Sequence, residues 1–168
     1  MNIQGLIWNC RGLKKKGTSI FLKTLIQQNQ FHFVGIQETM IENCDGSILR
    51  KFDPEQDYLW LWNPSRGRSR GILVGARLEF FDVGSFKQGD YMIQLNLWDK
   101  QIKIKLNLLV VMEMLRKMEK FLSCLSCQTS ALVAVNLCSL VGILTSSGML
   151  RKGIQIMGFI NILDYSML

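Results

Sequence analysis

"NIQGLIWNCRGLKKKG" (residues 2–17) and "FVGIQETM" (residues 33–40) decide how this chain is read. Each is a short apolar run that stops on polar residues, the first at Asn9 and the second at Glu38. Between them, residues 14–17 read as a turn. Thr18 or Ser19 caps a helix through about Gln28, with Ile20, Phe21, Leu25 and Ile26 on one face. A strand over residues 3–8, this helix and a strand over residues 31–36 form a strand–helix–strand unit, whose two strands run parallel and adjacent. Their polar ends then share one sheet edge, where α/β folds bind ligands. His32 falls inside the second strand on this reading.

Further extended runs follow over residues 58–62, 71–76, 78–83, 91–98 and 101–111. "YMIQLNLWDKQIKIKLNLLVV" alternates on both sides of Asp99-Lys100, the pattern of a β-hairpin. The alternation from Gln101 to Leu106 predicts a strand with one wet and one buried face. An α/β start is thus followed by antiparallel β. The character changes after Val111. All 4 Trp precede it, 10 of the 13 acidic residues precede Met112, and 6 of the 9 Met lie from Met112 onward. The stretch 131–143 is apolar without a clear period.

The 168 residues suffice for one domain with a sizeable core, and 48% hydrophobic composition argues against wholesale disorder. A formal charge of +7 suits a polyanionic partner, although solubilising charge alone accounts for it equally simply. The cysteines are Cys10, Cys44, Cys124, Cys127 and Cys138, an odd set without a framework, which points to thiols in a reducing compartment. "CLSC" (residues 124–127) has Cys-x-x-Cys spacing. A zinc site needs a second ligand pair, and His32 is the only histidine. No signal peptide or membrane-spanning apolar run is evident.

A single Glu at a strand end ordinarily solvates the edge, and an Asn there caps a turn. Together on adjacent parallel strands they can serve a divalent metal, since Mg²⁺ takes hard oxygen ligands, often one or two carboxylates plus phosphate and water. On these residues the chain resembles a known family. "IWNCRGL" followed by "VGIQET" is similar to the start of the endonuclease/exonuclease/phosphatase family, closest to the N-terminal endonuclease of plant LINE-type (non-LTR) retrotransposons. "RSRGILVGA", "FFDVGSFKQGDYMIQLNL" and "IKLNLLVV" follow in that family's strand order, so the resemblance covers residues 1–111.

The resemblance implies a partial DNase I-like α/β sandwich, its N-terminal half, with an irregular helical or poorly packed tail. It implies Mg²⁺-dependent phosphodiester hydrolysis on DNA and a nuclear location. Asn9 matches the family's active-site Asn, a remnant of the catalytic set, and Glu38 its metal-binding Glu. Arg11, Lys14, Lys15 and Lys16 follow the first strand and are placed to meet the DNA backbone, or simply form a solvated loop. Arg70 is a departure, because the family has small residues there.

The family continues after "LLVV" with a Tyr-Gly turn, a "GGDFN" segment and a late serine-aspartate-histidine segment. This chain has none of them. Met112 stands where the Tyr belongs. Codons for "MEMLRKMEK" (residues 112–120), read one base earlier, give Tyr-Gly-Asp-Ala-Gln-Glu-Asp-Gly-Glu. Codons for "LVGILTSSG" (residues 140–148), shifted the same way, give Val-Gly-Gly-Asp-Phe-Asn-Ile-Leu-Arg. Two ordered hits at the family's spacing identify residues 112–168 as a frameshifted tail, whose pattern was never matched to the fold. The chain is then a truncated, inactive endonuclease-like domain. The competing readings are a live Mg²⁺-dependent nuclease or phosphatase with other catalytic groups, and a non-catalytic basic nucleic-acid-binding or interaction module.

Overall fold

Strand β1 (Ile3–Asn9) is buried on both faces, because its apolar residues alternate between two cores. Ile3 and Ile7 face a second sheet, while Leu6 and Trp8 face helices. The computed structural model describes residues 3–66, 70–112, 131–136 and 157–162. After β1 come α1 (Thr18–Asn29), β2 (Phe33–Gln37), α2 (Gly46–Leu49), β3 (Tyr58–Asn63) and β4 (Ile72–Arg77). Then follow β5 (Phe81–Gly89), β6 (Met92–Asp99), β7 (Lys105–Val111), β8 (Ala131–Asn136) and β9 (Met157–Ile162).

Two sheets form a sandwich, one of 5 strands in the order β3-β4-β2-β1-β9 and one of 4 in the order β5-β6-β7-β8. The expected parallel pairing of β1 with β2 is present, in the register Gly5 to Phe33 and Asn9 to Gln37. Gly5 makes that register possible, since a Cβ there would run into the Phe33 ring. Between the sheets lie Ile3, Ile7, Phe33, Ile72 and Val74 from one side and Ile93, Leu95, Leu106, Leu108 and Val110 from the other. The outer face of the first sheet packs Trp8, Val34, Ile36, Trp60 and Leu73 against Leu22, Ile26, Ile48 and Phe52.

Several local expectations shift. Neither Thr18 nor Ser19 caps α1. Its N-cap is Gly17 at φ 84, and the Ser19 hydroxyl donates to the Leu13 carbonyl instead. The buried helix face is Leu22 and Ile26, with Leu25 half-buried, whereas Ile20 is 71% and Phe21 46% exposed. Phe21 still reaches Trp8 edge-on, with ring centroids 5.6 Å apart. His32 precedes β2 rather than lying within it. Residues 78–80 form a turn, and β5 runs on to Gly89 through an irregularity between Val83 and Phe86. The hairpin of β6 and β7 is present, but residues 101–104 belong to its connection rather than to a strand. The Asp99 carboxylate caps that turn, accepting from the Gln101 and Ile102 amides at 2.8 and 3.0 Å.

Of residues 112–168, those described beyond Met112 are two strands. The β8 backbone adds in parallel to β7, and β9 adds antiparallel to β1. The "CLSC" thiols, Cys138 and most of the expected irregular tail lie outside the described residues.

Candidate functional site at the carboxyl edge of β1 and β2

The parallel ladder continues past the ends of its strands. The Cys10 amide donates to the Gln37 carbonyl at 3.1 Å, Gly12 to Glu38 at 2.8 Å and Leu13 to Thr39 at 2.8 Å. This locks residues 10–13 alongside residues 37–39, so Asn9 and Glu38 lie at the same sheet edge. The turn out of each strand is tight. Arg11 and Glu38 both take left-handed backbone conformations, with φ 49 and φ 53. Non-glycine residues held there cost free energy, and such residues gather at functional sites.

Glu38 does not stand alone at the edge. The Arg70 Nη1 donates to Glu38 Oε2 at 3.0 Å. Register produces this contact: β4 runs antiparallel to β2 with Ile72 opposite Gln37, so the residues before β4 pass those after β2. The Thr39 amide donates to the Gly71 carbonyl at 3.2 Å, and the Met40 amide to the Arg70 carbonyl at 2.8 Å. Gly71 sits at φ 81, where a Cβ would run into the Thr39 hydroxyl. The Glu38 side chain is only 18% exposed, against 57% for Arg70.

The Asn9 Oδ1 is buried and has no hydrogen-bond partner among the described residues. A buried acceptor left unpaired is costly and calls for an explanation. Cys10, beside it, is buried, and its thiol donates to the Glu38 carbonyl at 3.6 Å. Burial pushes that thiol up to about 11, which removes it as a nucleophile near neutral pH. Arg11, Lys14, Lys15 and Lys16 are all exposed on the loop leaving β1. They put positive charge beside the edge that carries Glu38.

Two amides at this end were not picked out in the sequence. Gln37 is 2% exposed, and its Nε2 donates to the Val111 carbonyl at 2.7 Å, tying the end of β2 to the end of β7. Asn63 Nδ2 donates to the Gly89 and Met92 carbonyls at 2.6 and 3.0 Å, tying β3 to the turn between β5 and β6. Their signal was a polar residue at the end of an apolar strand, the same signal that marked Asn9 and Glu38.

His32 lies at the other end of β2. Five strand residues separate it from Glu38, about 20 Å at the usual strand rise. Its Nδ1 accepts from the Gln4 amide at 3.1 Å, its ring lies on Phe80 at 4.3 Å, and burial holds its pKa below 6.5. It is a packed structural histidine. Among the described residues no group of three or more His, Cys, Asp or Glu is placed to hold a metal ion. With its carboxylate already paired to a guanidinium, the edge as arranged does not fit a resident Mg²⁺. Among them, too, no helix is long and apolar enough to cross a membrane.

No protein-family model matches the chain, and no curated protein does. Solved structures do. The humanised TDP2 of D. rerio superimposes with a TM-score of 0.52 at 14% identity, over 71% of this chain and 54% of that one. ANGEL2, a 2′,3′-cyclic phosphatase, gives 0.53 at 12%, over 69% and 42%. The AP endonuclease LMAP of Leishmania major gives 0.50 at 12%, over 76% and 45%. The fold is therefore a partial DNase I-like α/β sandwich of the endonuclease/exonuclease/phosphatase type. The chain spans about half the length of these structures.

Proposed function

We propose that this chain is a truncated endonuclease/exonuclease/phosphatase-like domain, derived from a LINE-type retrotransposon endonuclease, that no longer cleaves DNA. The observation that carries the reading is the Glu38 edge: its carboxylate faces Arg70, and the one histidine of the chain lies at the far end of β2. Phosphodiester hydrolysis needs an activated water, a metal in fixed geometry and stabilisation of the developing charge. Here Glu38 and Asn9 supply one carboxylate and one amide. Losing several members of one catalytic unit leaves little beyond weak binding.

The fold supports the kind of protein. The motifs at residues 3–9 and 33–38, with the second-frame readings of residues 112–120 and 140–148, support the retrotransposon origin and the frameshift. Magnesium and a nuclear location belong to the parent family by resemblance. Purified chain incubated with supercoiled plasmid and MgCl₂ is expected to leave it intact. Robust nicking that Glu38→Ala abolishes would overturn the reading. Restoring one base at the Val111 codon, with the downstream length, returns the family's missing motifs, and nicking is expected to recover once Arg70→Ser also frees the Glu38 carboxylate. The exposed loop of Arg11, Lys14, Lys15 and Lys16 favours a second reading, a non-catalytic nucleic-acid-binding module. An electrophoretic shift without turnover separates the two.

A further inference from the structure

We infer that Arg70 takes the place of a divalent cation on Glu38 and makes this edge a metal-independent binding site for the phosphate groups of nucleic acid. The phosphate half rests on the nucleic-acid reading above. A cation bridging a carboxylate and a phosphate does two things: it neutralises the carboxylate and offers positive charge to a phosphate oxygen. The Arg70 guanidinium does the first through Nη1, 3.0 Å from Glu38 Oε2. More than half of its side chain stays exposed, and a planar guanidinium fork matches phosphate geometry.

The pair is not a chance meeting of two long surface side chains. The Met40 amide on the Arg70 carbonyl and the Thr39 amide on the Gly71 carbonyl fix both backbones. The left-handed turn at Gly71 delivers Arg70 to the edge. Arg11 is exposed next to Gly12, whose amide donates to the Glu38 carbonyl at 2.8 Å, so it adds a charge beside the pair. A divalent ion approaching Glu38 meets a positive charge already in contact with the carboxylate, and Coulomb repulsion opposes it.

The test is calorimetric titration of the full chain with MnCl₂ alone, for the natural chain, Arg70→Ser, Arg70→Gln and Arg70→Ser/Glu38→Gln. Circular dichroism melts confirm that each is folded. Both single variants are expected to bind Mn²⁺ about tenfold or more tighter than the natural chain. The double variant is expected to lose that gain. Equal response of the natural chain and the single variants, whether binding or silence, overturns the inference. A second arm follows the anisotropy of a labelled DNA duplex in EDTA and in MgCl₂ at matched ionic strength. The natural chain is expected to bind in EDTA, and Arg70→Ser to bind about tenfold more weakly there. Binding by the natural chain only with MgCl₂ overturns the inference and leaves the nucleic-acid reading in place. No binding in either buffer overturns both.

Discussion

At the scale of single residues, the edge depends on a glycine that carries no chemistry. Gly71 holds φ 81 and lies against the Thr39 hydroxyl, so any side chain meets both backbone strain and a collision. Gly71→Ala is expected to cost about 1–3 kcal/mol in urea unfolding. Ala at Gly17, where φ is 84 but a Cβ meets nothing within 4 Å, should show the strain alone and cost less. His32 gives a pH test. Burial lowers its folded pKa below 6.5, and a protonated Nδ1 loses the Gln4 amide it accepts. The unfolded chain therefore binds the proton more readily. The contribution of His32 is fully present above pH 6.5 and is lost as pH falls through the folded value. Stability of His32→Gln, followed by denaturant midpoint, should depend less on pH across that window.

At the scale of elements, α1 shows why a periodic pattern can be placed partly off the buried face. Ile20, Phe21, Leu25 and Ile26 satisfy helical spacing, yet Leu22 and Ile26 are the helix residues buried in the core with Trp8, Val34 and Ile36, while Leu25 is half-buried and Phe21 touches Trp8 only edge-on. The rotation of the helix is set by how residues 10–17 leave β1, which hydrophobicity alone does not encode. Leu22→Ala should destabilise the chain by about 2–4 kcal/mol, and Ile20→Ala by less than about 0.5 kcal/mol. A reversal of these two in thermal or urea unfolding would mean that the helix docks through its other face. The connection into β3 carries a second device. Buried Asp53 accepts from the Asp57 and Tyr58 amides at 3.0 and 3.2 Å and from the Trp60 indole at 2.8 Å. Its run of charge-assisted bonds fixes where β3 begins.

At the scale of the molecule, each sheet is extended at one edge by a strand that follows Val111. β9 covers the free side of β1, and β8 covers the free side of β7. Cutting the chain after Met112 would bare the backbone donors and acceptors of two central strands, which template association with other chains. A fragment ending at Met112 is therefore expected to form larger species than the full chain in light scattering at equal concentration. An unchanged monomeric profile would show that β1 and β7 tolerate open edges. The two ends of the sandwich also differ. The edge with Glu38 is tied across the sheets by Gln37 and Asn63, each of which donates to backbone of the opposite sheet. The His32 end is held by the backbone of Gln4 and the ring of Phe80.

The sequence by itself determined the strand–helix–strand start, the parallel neighbours β1 and β2, the shared edge of Asn9 and Glu38, and the hairpin of β6 and β7. These follow from apolar runs of strand length, a helical spacer and alternation, all local along the chain. Only the tertiary structure decided that Arg70 faces Glu38, that Gln37 and Asn63 bridge the sheets, and which side of α1 is buried. Arg70 and Glu38 stand 32 positions apart, and their contact depends on the β2–β4 register and the left-handed turn at Gly71. A one-residue slip in that register would turn the neighbouring side chains to the other face. No local pattern around either residue carries that information, because it is fixed by the packing of the whole sheet.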